Sequence, residues 1–227
     1  MIKKNSENDW DRYFKSYYRN MVGSFGKEDF VRNKRWFAGW LRFIEQYAPL
    51  KRGGNRVAIE IGCSIGAAAS LMAERGFTVT ATDISNYALK GARSHVPGVY
   101  FRKWNVEKPY IVKGKADIVY GFEVIEHVLR TQVALKNILD ALKEGGTLIL
   151  STPFPYEYVK SDPTHISVKS PEEWKREFGL AGYRSIKLVE AFFIPLLYRY
   201  GSAFSRGFRG TVDCRYINST LFIIAKK

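Results

Sequence analysis

The chain has 227 residues, with 36 Lys+Arg against 22 Asp+Glu, a formal charge of +14. A hydrophobic share of 46% with 26% charged residues is that of a folded globular domain, and it excludes a disordered chain, a collagen and a coiled coil. Two cysteines, Cys63 and Cys214, cannot make a disulfide framework or a four-thiolate zinc site by themselves, so a reducing, cytoplasmic setting is expected. No signal peptide or membrane span is expected. Asn5 to Asp9 is polar where a leader would be apolar, and the apolar run from Ala191 to Tyr198 is far short of a bilayer. A pI near 9.7 points to an anionic partner (nucleic acid, a phospholipid surface or a phosphorylated small molecule) or to a basic protein solvated on all sides.

In chain order, residues 1–50 read as a helical cap, with Trp10, Tyr13, Phe14, Tyr17 and Tyr18, then Phe30, Trp36, Phe37, Trp40, Leu41 and Ile44, at three- and four-residue spacing. The run Lys51 to Asn55 breaks that pattern and sets the boundary of a second unit, 51–227. There strands and helices alternate. Val57–Ile61 is a strand, Ile65–Arg75 a small-residue helix and Phe77–Thr82 a strand; Ser85–His95 is a serine-capped helix, followed by strands at Val99–Phe101 and Ala116–Tyr120. A helix or helix pair is predicted from Glu123 to Lys143, closed by Gly145 and Gly146, before the strand Thr147–Ser151. Such alternation predicts a doubly wound α/β domain with a mostly parallel, seven-stranded sheet. Ser170-Pro171-Glu172-Glu173 starts a further helix by its cap, proline and acids. Tyr183–Val189 and Tyr216–Ala225 are then two final strands, predicted as an antiparallel hairpin at the sheet edge.

The turn after the first strand, Glu60-Ile61-Gly62-Cys63-Ser64-Ile65-Gly66, has serine where a dinucleotide fingerprint has its second glycine, and an acid that would repel a pyrophosphate but suit an ammonium group. Here the sequence resembles the class I S-adenosylmethionine-dependent methyltransferases. The resemblance is carried by that turn, by Asp83 ending the second strand, by Asn105-Val106 after the third, and by Glu123-Val124-Ile125-Glu126-His127-Val128 after the fourth. Leu142-Lys143-Glu144-Gly145-Gly146 adds a fifth motif. The hexapeptide is similar to the signature of the ubiquinone-biosynthesis and related small-molecule group. The resemblance implies S-adenosylmethionine as cofactor, held by Glu60, Gly62, Cys63, Ser64, Gly66, Asp83, Ile84, Asn105, Val106 and Phe122. Gly62 and Gly66 would pass close to its methionine part, and Asp83 would accept its ribose hydroxyls or else cap the next helix. Ile84 and Val106 offer apolar faces to the adenine.

Methyl transfer from a sulfonium needs alignment and often removal of a proton from the acceptor. Glu123, Glu126 and His127, at i, i+3 and i+4, are expected on one face of a helix start. The resemblance makes them candidate ligands of a divalent metal; the preferred reading is a metal-free, hydrogen-bonded site in which Glu123 and His127 shape the pocket or His127 acts as base. His165, in the long connection after the fifth strand, is a second candidate base or acceptor ligand. The acceptor is expected to be small, saccharide- or lipid-linked, and methylated on oxygen. The alternatives are an RNA-binding or RNA-modifying methyltransferase, favoured by the charge and 34 aromatics, and a non-catalytic cofactor-binding subunit. The basic-aromatic segment 191–211, with Arg199, Arg206 and Arg209, is expected to line the acceptor entrance together with the aromatic N-terminal helices, holding an anionic acceptor or resting on an anionic membrane.

Overall fold

A computed structural model describes residues 10–12, 15–16, 26–48, 50, 55–195 and 197–227. The positions Tyr13, Phe14, Tyr17 and Tyr18, most of the Lys51–Asn55 boundary, and Leu196 lie outside the described residues. The first long helix, α1, is Lys27–Ile44. It leads to β1 (Val57–Ile61), α2 (Ala67–Glu74), β2 (Thr78–Asp83), α3 (Asn86–His95), β3 (Tyr100–Lys103) and β4 (Ala116–Phe122). The second half comprises α4 (Thr131–Ala141), β5 (Leu142–Pro153), α5 (Glu157–Lys160), α6 (Pro171–Ala181), β6 (Arg184–Phe193), β7 (Gly207–Arg209) and β8 (Asn218–Lys226).

The strands form one sheet in the order β3-β2-β1-β4-β5-β8-β6-β7. Strands β1 to β5 pair in parallel, and β8 runs antiparallel to both β5 and β6. Two expectations are corrected. The two final strands read from the sequence do pair antiparallel, but not as an edge hairpin, because β8 inserts between β5 and β6. The sheet also has eight strands, since Gly207–Arg209, read as irregular, pairs with Ala191–Phe193. A parallel sheet reverses its strand order beside β1, so the carboxyl ends of β1, β2 and β4 converge on one crevice.

Each face has its own apolar cluster. Ala58, Val79, Tyr120 and Phe222 join Trp40, Leu41, Phe43 and Ile44 of α1 and Met72 of α2 on one face; Ile59, Val119, Leu148 and Ile223 join Leu135 of α4 and Trp174 and Phe178 of α6 on the other. Alternate residues of a strand point to opposite faces, so one sheet seeds both layers. Trp40 is the centre of the first: its ring meets Phe122, Phe193 and Phe222 at centroid distances of 5.3–5.5 Å. The caps read from the sequence are present. Ser85 Oγ accepts from Ala88 N at 3.2 Å, and Ser170 with Glu173 makes a reciprocal capping box. The helix expected from Glu123 is corrected. Glu123 has φ +54°, which ends the strand abruptly, and only a 3-10 turn (Ile125–His127) precedes α4. Nor do the glycines close α4. It stops at Ala141, and Gly145 at φ +72° and Gly146 lie inside β5, at the register shift against β4.

Helix α1 is held to the segment before β7 at Gly39, where an added Cβ would stand 2.0 Å from Ser205 Oγ and 2.3 Å from its carbonyl oxygen. Alanine inside a helix ordinarily gains about 0.5–1 kcal/mol over glycine. The clash with a backbone oxygen outweighs that gain, and overpacking costs about 1–3 kcal/mol. Gly39→Ala is therefore expected to lower the urea midpoint. A midpoint at or above the parent's would show that α1 and the 202–205 turn are not in this contact.

Candidate functional site

The crevice is built from the ends of β1, β2 and β4. The β1–α2 loop turns through three residues in the left-handed region, Gly62 (φ +65°), Ser64 (φ +49°) and Gly66 (φ +78°). Serine there carries the strain a side chain meets at such angles, of order 1–3 kcal/mol. What a side chain at Gly62 would strike differs from expectation: an added Cβ would lie 2.3 Å from Val124 Cγ2, so the glycine makes room for the Glu123–Val128 turn. At Gly66 an added Cβ would come within 3.3 Å of Phe101 and Val96.

Asp83 holds this loop. One oxygen accepts from Ser64 N and the other from Ser85 N, both at 2.9 Å. Of the two roles expected of Asp83, the contacts present are those of the cap: it ties the turn to the start of α3. Burial raises its pKa from 3.8 to about 6 against those hydrogen bonds. Glu60, also buried, faces α2; Tyr120 Oη donates to it at 3.3 Å, and desolvation pushes its carboxyl well above the usual range. Burial, with Asp83 and Glu60 nearby, likewise pushes the Cys63 thiol up, which leaves it a packing residue in the loop rather than a nucleophile. Ile84 is half-buried beside Asp83, Asn105 Oδ1 accepts from Glu107 N at 2.9 Å, and Val106 is buried with its carbonyl on Asn137 Nδ2. Phe122 lies within the aromatic layer, stacked on Phe37 at 5.5 Å.

The residues of the hexapeptide separate. Glu123 turns to the sheet, where its Oε1 accepts from Ser151 Oγ (2.8 Å) and Thr220 Oγ1 (3.0 Å), and burial raises its pKa. Its place beside Glu126 and His127 is taken by His165: a carboxylate oxygen of Glu126 and one ring nitrogen of each histidine lie within 4.8 Å of one another. His127 Nδ1 is 2.9 Å from Thr164 O, and His165 Nδ1 is 2.9 Å from Val159 O. A carbonyl only accepts, so both Nδ1 atoms carry hydrogen and each neutral ring presents Nε2 as its basic atom. Glu126 is fully buried, and neither of its oxygens has a partner within hydrogen-bond geometry among the described residues. Its Oε1 is 3.8 Å from His127 Nε2, and desolvation drives its carboxyl well above the usual range against a weaker effect of Thr152. Two oxygen and nitrogen donor types in this number fit a divalent cation as well as a proton relay.

One group was not legible from the sequence, Asp11; Trp10 was read as part of the aromatic N-terminal helices expected at the acceptor entrance. Asp11 Oδ1 accepts from Ser85 Oγ (2.6 Å) and Tyr87 N (3.2 Å), and Trp10 sets its ring 6.0 Å from that of His127. A helical turn near the N-terminus thus touches both the Asp83 end and the histidine end of the crevice. The spacing that marks Trp10 as helical carries nothing that would single out the adjacent Asp11.

The profile of the methyltransferase-domain family matches residues 32–188. Ubiquinone biosynthesis O-methyltransferases of Coxiella burnetii and Paracidovorax citrulli are 30% identical over 116 residues and 32% over 120, covering 49% and 50% of this chain. The chain spans about half the length of these curated relatives, 48% of each. A solved SAM-dependent methyltransferase from Thermotoga maritima superposes with TM-score 0.65 at 20% identity, 97% of each chain being covered. Phosphoethanolamine N-methyltransferase 2 of Haemonchus contortus, solved with S-adenosyl-L-methionine, gives TM-score 0.65 at 15% identity over 94% of this chain and 60% of that one. Likenesses of this identity establish the fold.

Asp83 gives the site a pH signature. Below about pH 6 it takes a proton, one oxygen stops accepting, and ligand hydroxyls lose a charged partner. Calorimetry with S-adenosylhomocysteine should therefore show affinity falling as pH drops through about 6, and Asp83→Asn should be weaker by about 1–3 kcal/mol and flat in pH. A parent profile as flat as the variant's would remove Asp83 from the ligand site.

Proposed function

Because the chain belongs to the methyltransferase-domain family of S-adenosylmethionine-dependent enzymes, matched over residues 32–188, we propose that it methylates an oxygen of a small-molecule, saccharide-linked or lipid-linked acceptor. The observation that carries this reading is the histidine pair: with Nδ1 at 2.9 Å from Thr164 O and from Val159 O, Nε2 is the basic atom of each ring, 3.8 Å from Glu126 Oε1 in His127 and 4.0 Å from Asp162 Oδ2 in His165. An alcohol or phenol needs such a base, and the printed activity of the two curated relatives is O-methylation.

The cofactor supplies a methyl group already activated on a sulfonium. Gly62, Cys63, Ser64 and Gly66 shape the loop that holds its amino-acid part, with Glu60 beneath it, Asp83 takes its ribose hydroxyls, and Ile84, Asn105 and Val106 border its adenine. Such an assignment suits the site's charge, since a cationic ligand is favoured beside buried carboxyl groups. His127 Nε2 takes the acceptor's proton, and the imidazolium that forms lies 3.8 Å from Glu126 Oε1. His165 positions the acceptor oxygen, and Glu123 braces the turn that carries His127. Glu126, His127 and His165 are also the residues that would hold a divalent cation, whose chemistry would be to acidify the acceptor hydroxyl. Desolvation raises the pKa of the buried Glu126 carboxyl and so disfavours the ionised form a cation would need, which supports the base reading.

Methyl transfer from labelled S-adenosylmethionine to a panel of phenols, sugars and isoprenoid-linked acceptors tests the proposal. His127→Gln should lower kcat by about 10²- to 10⁴-fold with S-adenosylhomocysteine affinity unchanged, and His165→Gln should raise KM more than it lowers kcat. Label entering RNA in preference to every small acceptor would replace this reading with the nucleic-acid one. Extensive chelation should leave turnover intact; activity lost to chelator and restored by magnesium or zinc would convert His127 from base to ligand.

A further inference from the structure

Beyond the crevice, the feature the reaction does not use is the chain between β6 and β8. From Ala191 to Val212 it holds no acid, and its three arginines, Arg199, Arg206 and Arg209, are all exposed. Apolar side chains are exposed beside them: Ile194 at 41%, Tyr200 at 81%, Phe204 at 53% and Phe208 at 47%. A loop that packed for stability would turn these rings inward, as Phe193 does. The backbone here is nevertheless fixed. Arg35 Nη1 donates to Arg199 O at 2.6 Å, Arg42 Nη2 donates to Ser202 O and, at 2.8 Å, to Ser205 O, and Ser205 Oγ donates to Trp36 O at 2.8 Å. Polar main-chain groups are thus satisfied against α1, while cations and rings are displayed outward. Arg42, which holds these carbonyls, has its pKa lowered by burial first and then by the neighbouring Arg75 and Arg206, against Glu45.

We propose that this face is a docking surface for an anionic lipid bilayer, its rings entering the headgroup region and Arg199, Arg206 and Arg209 meeting lipid phosphates. The charge complementarity selects the occupant, and the apolar groups select lipid over nucleic acid. Ile194, Phe204 and Phe208 have no polar atom with which to read a base or phosphate, but each gains by leaving water at an interface. The position within the fold gives docking a consequence. Phe193, where the segment begins, pairs with Asn218, and Thr220 two residues on hydrogen-bonds to Glu123, so the surface lies at the same end of the sheet as the crevice. A docked molecule turns that end toward the membrane. Binding to lipid does not depend on the proposed reaction, and the test separates the two.

Cosedimentation with phosphatidylcholine vesicles, with and without phosphatidylglycerol, supplies the test, with S-adenosylhomocysteine affinity as the check on folding. The parent should bind only vesicles containing phosphatidylglycerol. Arg206→Glu with Arg209→Glu should weaken this by roughly 30-fold or more, the worth of two basic residues near an anionic surface. Tyr200→Ser with Phe204→Ser should weaken it without changing charge. Lys136→Glu with Lys175→Glu, an equal charge change on exposed residues of α4 and α6 at the opposite face, should leave it near the parent value. Equal losses from the lysine and arginine pairs would reduce the effect to bulk charge and overturn the surface. A parent that ignores both vesicles overturns it as well, and arginine-dependent binding of single-stranded RNA without vesicle binding would assign the face to nucleic acid.

Discussion

Four carboxyl groups, Glu60, Asp83, Glu123 and Glu126, are buried or nearly so around the ends of β1, β2 and β4, and burial raises the pKa of each. The groups recorded against them are hydroxyls, backbone N–H groups and histidines: Tyr120 for Glu60, Ser64 and Ser85 for Asp83, Ser151 and Thr220 for Glu123, and His127 for Glu126. In a chain with 36 Lys+Arg this is a distinct arrangement, because a buried acid is ordinarily neutralised by a basic side chain. Among the described residues the contacts recorded for these acids include no Lys or Arg, and buried carboxyl groups so placed favour a cation. A sulfonium with an ammonium group is such a ligand, so the electrostatics of the crevice and the chemistry of the family's cofactor point the same way.

That crevice constrains the backbone around it. To bring Asp83 against the loop after β1, the chain adopts left-handed angles at Gly62, Ser64 and Gly66, and to turn the hexapeptide under them it does so again at Glu123. Two strained non-glycine residues in one site would be costly unless the surroundings held them, and the surroundings do. Glu123 is fixed at its N–H by Ser151 Oγ and at its carboxyl by Ser151 and Thr220, from two different strands. The insertion of β8 beside β5 is what brings Thr220 there, so the antiparallel strand far along the chain supports the turn that carries His127. On one face, α1 closes the remaining apolar surface with Trp40 and Phe37 over Phe122.

How much of this was legible follows from the range of each signal. The first strand is read to the residue, since an apolar run bounded by polar and glycine residues has one register, and the Ser85 and Ser170 caps announce themselves within three residues. Local spacing failed where tertiary contacts chose the backbone. Glu123, Glu126 and His127 have helical spacing, yet Ser151 and Thr220 hold Glu123 at a positive φ, and Glu123 and Glu126 part company. His165 joins Glu126 and His127 from nearly forty residues away, which no motif spacing encodes. Gly145 and Gly146 resemble a helix stop but serve a strand irregularity, because both uses require the same freedom of φ. The short β7 was hidden for the opposite reason: three residues, Gly207 to Arg209, are too few for an alternation to show.

The separation of charge in the molecule ties these threads together. Acids are drawn inward to the crevice, while Arg199, Arg206 and Arg209 stay exposed on the segment that α1 pins down. Each arrangement is costly alone: burying carboxyl groups disfavours their charged form, and like charges placed near one another repel. Neither cost yields anything to a protein that only has to fold, since pairing the arginines with the acids would relieve both. They become intelligible together if a cation enters the crevice and an anionic surface covers the segment. The two ligands then compensate separate halves of one polarised molecule, and α1, touching the aromatic layer under the crevice and the carbonyls of the arginine segment, is the element through which both halves are kept apart.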